Sequence, residues 1–592
     1  MVENIAAQSG DVDLLSQDAT ARQFDASTPE NNVWVGASAG TGKTKVLTDR
    51  VLRLLLPREN GAAASPAHKI LCLTFTKAGA SEMSIRIASE LGSWAVMDDL
   101  KLHERLKALY GRTAKEHEIK AARELFADVV DVPGGLKIMT IHSFCQSVLG
   151  RFPLEAGVSP QFRLIEEQDA ANLIEQARRA VMSGGVEDDD IRSAIHNVAS
   201  FVNDEQFSSL LEGFISEREQ FFKVLDRIGG VNGIYQELCR YHDISADESS
   251  DDILNKACME GAFARDELKK IYLAKLDLGT ANEVKDAAPL EAFLSAVTIE
   301  ERVQLFETAY QNVFLTSGEI RKRLVTSNVA KSFPDAVDIM RLEAERIVAI
   351  LEKIAAHRLC SLTRDLCLLC EKILFQYQSL KEIGGYLDYD DLIQKTAALL
   401  KGQREGFSCA DSSWVQYKLD QGIDHVLVDE AQDTNPIQWD VISALCGEFF
   451  TGQSAQEQDR SLFVVGDEKQ SIYSFQRASP VAFNEMKAFF KARVEEAQKK
   501  WSPVAMNTSF RSTHSVLSVV DSVFADVVAR VGLGEDKVAH TAFRRGHAGL
   551  VELLPLYHFD ESDEKLGLWD VPDEALNLQT AQQKMADALA QK

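Results

Sequence analysis

A chain of 592 residues exceeds what a single hydrophobic core usually holds, so several domains are expected, and its 45% hydrophobic and 26% charged content excludes a disordered or fibrous polymer. The formal net charge of -26 excludes a cationic coat that would hold nucleic acid by charge alone, so any contact with DNA must be local. Nine scattered Cys, an acidic start that lacks the pattern of a signal peptide, and no apolar run of bilayer length suggest reduced thiols in a cytoplasmic protein with no membrane partner.

In chain order, the first clear element is the apolar run "VWV" before Gly36, followed at once by "ASAGTGKT" and the amphipathic "KTKVLTDRVLRLLL". A buried strand, a loop of tiny residues and a helix in succession describe a phosphate-binding loop, where backbone N–H groups and a helix N-terminus face the anion. The strict pattern G-x-x-x-x-G-K-[ST] is missed by one position, because Ala37 stands where the first glycine would. A small residue still serves that turn. Ser38, Ala39 and Thr41 add little bulk, and Gly40 and Gly42 let the backbone approach a phosphate. Lys43 would then reach the β and γ phosphates, and the Thr44 hydroxyl would coordinate Mg²⁺. The loop by itself indicates a nucleotide, not a reaction.

Two further runs, "ILCL" before Thr74 and "KIMT" before Ile141, read as buried parallel strands. From about Leu164 to Leu387 the character changes to long Leu-, Ala-, Glu- and Lys-rich stretches with helical periodicity, which predicts an all-helical insertion. Its "LCSLTRDLCLLCEKILF" places Cys360, Cys367 and Cys370 on an apolar helix, so they read as structural thiols rather than half of a metal site. The strand pattern resumes with "HVLV", which delivers Asp429 and Glu430, and with "LFVV" before Gly466. Two adjacent carboxylates at a strand end suit two tasks, one holding hydrated Mg²⁺ and one taking a proton from an attacking water. From about Ser502 a second α/β piece is expected, with "PVAMN" as a strand, "HSVLSVVDSVFADVVARV" as a helix and "GLVELLPLY" as another strand; the acidic "DESDEKLGLWDVPDE" reads as a solvated loop. The predicted architecture is α/β: residues 1–163 and 388–501 form one discontinuous parallel-sheet domain, 164–387 is the helical insertion, and 502–592 begins a second sheet domain.

The segments "ASAGTGKT", "LTFTKAGASEM", "TIHSFCQ", "LDYDDLI", "VDEAQD", "VGDEKQSIYSFQRA" and "NTSFRST" resemble, in this order, the motifs of superfamily 1 UvrD-like DNA helicases. "WVGASAGTGKT", "FPLEAGV" and "QSIYSFQ" are similar to the AddA type, the helicase–nuclease subunits of AddAB double-strand-break repair complexes. The resemblance implies RecA-like domains, ATP and Mg²⁺ as cofactors, 3′-to-5′ translocation on DNA, single-stranded or duplex-end DNA as substrate, and an AddB-like partner. It implies that Gln23 reads adenine and that Lys45 and Phe510 sandwich the ring. It makes Gln470 a sensor of the γ-phosphate and Arg511 an arginine that contacts that phosphate from the second domain. It places Thr74, Phe75, Thr76, His142, Ser143, Tyr473 and Phe475 along a single-strand track. Aromatic platforms tolerate any base, which suits a motor that must not stall on sequence, though Phe75 and Phe475 taken singly read equally well as core residues.

Two departures from the pattern stand out. Arg477 follows Gln476 where the family usually has glycine, which puts the local turn in question. Later helicase motifs and a RecB-like nuclease do not occur before Lys592, so the chain is expected to be the front part of a helicase that binds ATP–Mg²⁺ weakly and hydrolyses it poorly. The competing expectations are a catalytically incomplete module that binds ATP, DNA or an AddB-like partner, and a UvrD-like helicase without nuclease.

Overall fold

The computed structural model describes residues 17–58, 63–183, 188–402, 414–415, 417–419, 422–450, 460–474, 477–531, 539–544, 547–556 and 581–591. Their contacts divide the chain into two units, residues 1–161 with 389–592, and residues 162–388.

The first unit is built on six strands: β1 (Asn32–Ala37), β2 (Ile70–Thr74), β3 (Lys137–Thr140), β4 (His425–Val428), β5 (Ser461–Gly466) and β6 (Trp501–Met506). All pair in parallel in the order β6-β1-β5-β4-β2-β3. β2, β4 and β5 are buried at every position, as β-branched and apolar runs must be when helices cover both faces of a sheet. The register sets Gly36 beside Gly466 and Val428 beside Val464, so β1, β5 and β4 end at one edge, where open parallel sheets place their ligands.

One face of the sheet packs Val33, Val35, Ile70, Leu427 and Phe463 against Val46, Leu47, Val51 and Leu54 of helix α1 (Lys43–Leu55). Burying each such side chain contributes about 1.5–3 kcal/mol, so this layer fixes where α1 starts. On the other face Trp34 stacks on Trp439 with centroids 5.7 Å apart and meets Phe483 at 4.9 Å. Arg50, wholly buried on α1, donates from Nη2 to Pro29 O (3.0 Å), Asn31 O (2.8 Å) and Ser461 Oγ (2.9 Å). It staples the helix to β5 and to the segment before β1, and burial lowers its pKa to about 9.

The second unit packs helices along the 49-residue helix Ala336–Gly384, which Gly385 ends in the left-handed region at φ 62°. Here the expectation of an all-helical segment meets two short ladders: Arg163–Leu164 pairs in parallel with Tyr386–Leu387, and Leu315–Thr316 pairs with Glu319–Ile320. Asp388 closes the unit by accepting from both Arg218 Nη atoms (2.7 and 2.6 Å), the Tyr377 hydroxyl (2.8 Å) and Lys381 Nζ (2.9 Å). Cys370 packs with Ile373 and Tyr377, whereas Cys367 joins Phe221 and Leu225, so the two thiols point into different apolar clusters. Burial pushes Cys367 up to about 11, which keeps it protonated.

Three expectations for the C-terminal stretch need correction. Ser502–Met506 does not begin a separate sheet; it is part of β6, paired with Val33–Ala37. The helix after Thr513 stops at Val523 instead of running to Val531, because Val527, Val528 and Val531 are 70–81% exposed and gain nothing from helical packing. Residues 549–556 form no strand; Leu550, Leu553 and Leu556 are exposed, and an isolated strand without a ladder leaves its backbone groups to water. The acidic segment from Asp560 lies outside the described residues. Among the described residues no helix is long and apolar enough to cross a membrane.

Candidate active site

The loop between β1 and α1 is shaped by two glycines. Gly40 has φ 74° and Gly42 φ 95°, in the left-handed region that side chains disfavour. Space is a second constraint: a Cβ on Gly40 would lie 2.5 Å from Arg511 Cβ, and one on Gly42 would lie 2.8 Å from Gln23 Nε2. Ser38 N donates to Met506 O (3.2 Å) and Thr41 Oγ1 to Ser38 O (2.8 Å), so the loop is held on β6 and on itself. Ala37, the position that departs from the strict pattern, is the last residue of β1 and is buried. Ala39 O accepts from Ser509 Oγ (3.0 Å). No side chain caps the start of α1, which leaves the N–H groups around Lys43, Thr44 and Lys45 free for an anion.

The acids arrive from β4. Lys43 Nζ donates to Glu430 Oε2 at 2.9 Å, although the two residues are 387 positions apart. Glu430 adopts φ 48°, an uncommon backbone state for a residue with a side chain and one that clusters at functional sites. Burial, then the neighbouring Glu430 charge, raises the Asp429 pKa to about 6; the same two causes in the same order bring Asp433 to about 6. Glu430 pairs with the Lys43 ammonium, whose charge is also felt by Asp429 and Asp433, and the excess negative charge suits a divalent cation. Among the described residues no three ligands gather as a closed metal cage. Mg²⁺ keeps waters and phosphate oxygens in its shell and takes only one or two protein oxygens; Thr44 and Asp429 are the residues that could supply them. Behind the acids, Gln470 Nε2 donates to Asp467 Oδ2 (2.5 Å), and Lys469 Nζ pairs with Asp467 Oδ1 (3.0 Å).

The segment after β6 lies over the loop. Phe510 N donates to Gly40 O (2.8 Å), and Arg511, exposed, has its Cβ seated on Gly40. Gln23 is buried; its Nε2 donates to Thr41 O (3.0 Å) and its Oε1 accepts from Lys45 Nζ (3.1 Å). Gln23 and Phe510 line one very small cavity with Ala19, Arg22, Thr41 and Asn507. Lys45, bonded to Asp49 at 2.9 Å, instead lines a second cavity of about 470 Å³ with Phe24 and Lys107. The two residues expected to sandwich one ring therefore border different cavities in this conformation.

The residues expected on a polynucleotide track gather at the ends of β2 and β3. Phe75 and Tyr473, both half-buried, meet with centroids 4.7 Å apart. Thr74 Oγ1 donates to Thr76 O (3.0 Å), and Thr76 caps helix α2 (Lys77–Val96) by accepting from Gly79 N (3.0 Å). Helix α3 (Ile141–Arg151) starts with Thr140 capping Ser143 N at 3.2 Å; His142 presents its ring to Tyr389 edge-on at 5.4 Å, and burial lowers its pKa. Phe475 lies outside the described residues. Arg477 takes φ 65°, which explains why glycine suits this place, and its Nη2 donates to Asp390 Oδ2 at 3.0 Å. Asp390 and Tyr389 were not singled out from the sequence beyond their place in "LDYDDLI"; only the fold sets them against Arg477 and His142.

Residues 19–491 match the model of the UvrD/REP helicase N-terminal domain. The chain is also similar to proteins named as ATP-dependent helicase/nuclease subunits of the AddA kind. The protein of Limosilactobacillus fermentum is 25% identical over 548 residues, covering 84% of this chain and 36% of that protein. Those of Bacillus cereus (27% over 523 residues) and Enterococcus faecalis (24% over 541) cover 84% and 85% of this chain and each 38% of the relative. The chain thus spans little more than a third of the length of these relatives. With a parallel sheet carrying the glycine loop and the paired acids at one edge, and a family match across most of its length, the chain belongs to the UvrD/REP helicase family.

Proposed function

We propose that this chain is the front, ATP-hydrolysing part of a DNA helicase of the AddA helicase/nuclease type, coupling Mg²⁺–ATP turnover to 3′-to-5′ movement on DNA at duplex ends, with a partner of the AddB kind. The observation that carries the reading is the ion pair between Lys43 and Glu430. It stores the phosphate-binding lysine of the loop on the carboxylate that would act as base.

In this reading the triphosphate enters against the N–H groups around Lys43, Thr44 and Lys45, and Lys43 turns from Glu430 to the β and γ oxygens. Glu430, released from its cation, accepts a proton from the attacking water. Thr44 and Asp429 would hold Mg²⁺, which supplies charge neutralisation for the phosphoryl group as it transfers. Gln470 orients the terminal phosphate, and Arg511, delivered across Gly40, stabilises charge developing on it. Gln23, Lys45 and Phe510 take the base, which requires the small cavity beside Gln23 to widen. Thr74, Phe75, Thr76, His142, Ser143, Tyr473 and Phe475 receive a single strand by stacking and neutral hydrogen bonds, which reconciles a polynucleotide substrate with the acidic chain. Titrating the purified chain with a fluorescent ATP analogue tests this: Mg²⁺-dependent, saturable binding competed by ATP is expected, and no binding at millimolar-range nucleotide contradicts it.

A further inference from the structure

Lys45 borders the larger cavity, not the small one that Gln23 and Phe510 share, and its hydrogen bonds give it a different task. Its Nζ donates to Gln23 Oε1 at 3.1 Å and to Asp49 Oδ2 at 2.9 Å. Asp49 is buried on α1, one turn after Lys45, and its other oxygen accepts from Arg105 Nη2 at 3.3 Å. Arg105, on helix Asp99–Tyr110, donates from Nε to Glu90 Oε1 of α2 at 2.5 Å. Glu90 also accepts from Nε1 of Trp94 (3.2 Å), a fully buried residue. One carboxylate, Asp49, thus ties the half-exposed Lys45 ammonium to the interior.

This restraint fixes the Gln23 amide. An ammonium can only donate and the Thr41 carbonyl can only accept, so the amide oxygen faces Lys45 and the nitrogen faces Thr41. A turned amide would set N–H against ammonium and oxygen against oxygen. Gly42 packs against the nitrogen, since a Cβ there would come within 2.8 Å of it. Each end of the amide uses one of its two bonding positions in these contacts, which leaves one acceptor and one donor side by side. Gln23 lines the small cavity, so a base there meets that pair. Adenine matches it with an amine donor at N6 beside the N7 acceptor, whereas guanine presents two acceptors, O6 and N7.

We infer that Asp49 is a positioning residue that selects adenine over guanine, by holding the Lys45 ammonium on the oxygen of Gln23. The inference rests on the nucleotide reading given above and adds to it a task for Lys45 that needs no stacking. Released from Asp49, the ammonium exchanges Gln23 Oε1 for water, because a single half-exposed contact on a flexible four-carbon stem holds weakly. The amide is then free to turn N–H toward O6, and guanine is accepted. The glycine loop keeps its own bonds, from Ser38 N to Met506 O and from Thr41 Oγ1 to Ser38 O, so binding of the phosphates alone should not change.

The test compares the Kd values of Mg²⁺–AMPPNP, Mg²⁺–GMPPNP and Mg²⁺–tripolyphosphate, measured by calorimetry on the whole chain. The parent should bind the adenine nucleotide about 10-fold or more tightly than the guanine nucleotide. Asp49→Ala should bring that ratio below about 3-fold, while tripolyphosphate binding stays within about 2-fold of the parent. A merely structural role would weaken all three ligands together and leave the ratio unchanged. If Asp49→Ala does not fold, Lys45→Met, which keeps the Asp49–Arg105 pair and removes the donor to Gln23, should give the same collapse; loss of stacking alone would weaken both nucleotides and spare the ratio. A folded variant that keeps the parent ratio, or a parent that binds the two nucleotides equally, overturns the inference alone. A parent that binds none of the three ligands overturns the reading on which it rests.

Discussion

The phosphate end and the aromatic end of the sheet edge are held by different physics. Around Lys43 and Glu430 every group is charged or hydrogen-bonded, buried acids outnumber cations, and the backbone sits in left-handed states at Gly40, Gly42 and Glu430. Around Phe75 and Tyr473 the contacts are ring against ring, half-exposed, with hydroxyls that cap helices. The first arrangement is specific and intolerant of substitution; the second is tolerant by construction, because a stacked base presents the same face whatever its identity. One end can therefore be broken chemically while the other is only weakened.

The largest separation of the two ends is expected from Glu430→Gln. Removing the proposed base while keeping the side-chain size should lower whatever ATP hydrolysis the parent shows by about 10²-fold or more, with oligo(dT) affinity unchanged in a phosphate-release and anisotropy pair of assays. Equal loss of both would mean that Glu430 is structural. Next, Tyr473→Ala or Phe75→Ala should cost about 1–3 kcal/mol in oligo(dT) binding and leave nucleotide affinity within about 2-fold. The parent's DNA affinity should also fall only gently with salt, as few cations are engaged; a steep log–log slope would contradict the stacking account.

A smaller effect tests the opposite edge of the sheet. His425, buried at the start of β4, hydrogen-bonds Ser65 and Ser461 at 2.8 and 2.9 Å. Burial, then the charges of Arg58, Arg50, Lys69 and Lys499, lower its pKa well below the usual value. The folded protein holds this imidazole neutral, whereas the unfolded chain takes up a proton below about pH 6.5. Stability should therefore be full above pH 6.5 and fall as pH drops through it, measured by urea unfolding at several pH values. His425→Asn should flatten that part of the profile. The smallest effect concerns Arg477. Arg477→Gly relieves a left-handed backbone state but removes the pair with Asp390, so stability should shift by less than about 1 kcal/mol. Arg477→Ala keeps the strain, loses the pair and should be the less stable of the two.

The same contrast governs what the sequence makes legible. "ASAGTGKT" and "VDEAQD" announce themselves because phosphate chemistry admits few residue types in few backbone states, and five of the six strands stand out as apolar runs, of which β3 proves only half-buried. β6 does not, since "PVAMN" reads the same at the edge of one sheet as at the start of another; only pairing with β1 decides. The helix after Thr513 is over-read because periodicity reports an apolar face without reporting whether anything covers it. Lys45 and Phe510 carry the right chemistry for a base, but which cavity each lines depends on rotamers that spacing does not encode.

The central claim is that the glycine loop and the acids of β4 form a single site for a magnesium-bound triphosphate. Equilibrium binding of Mg²⁺–ATP to the parent and to Lys43→Ala tests it most directly. The account predicts that the parent binds only with Mg²⁺ present and that Lys43→Ala, still folded by circular dichroism, loses that binding. A folded Lys43→Ala chain that binds Mg²⁺–ATP as tightly as the parent would contradict it.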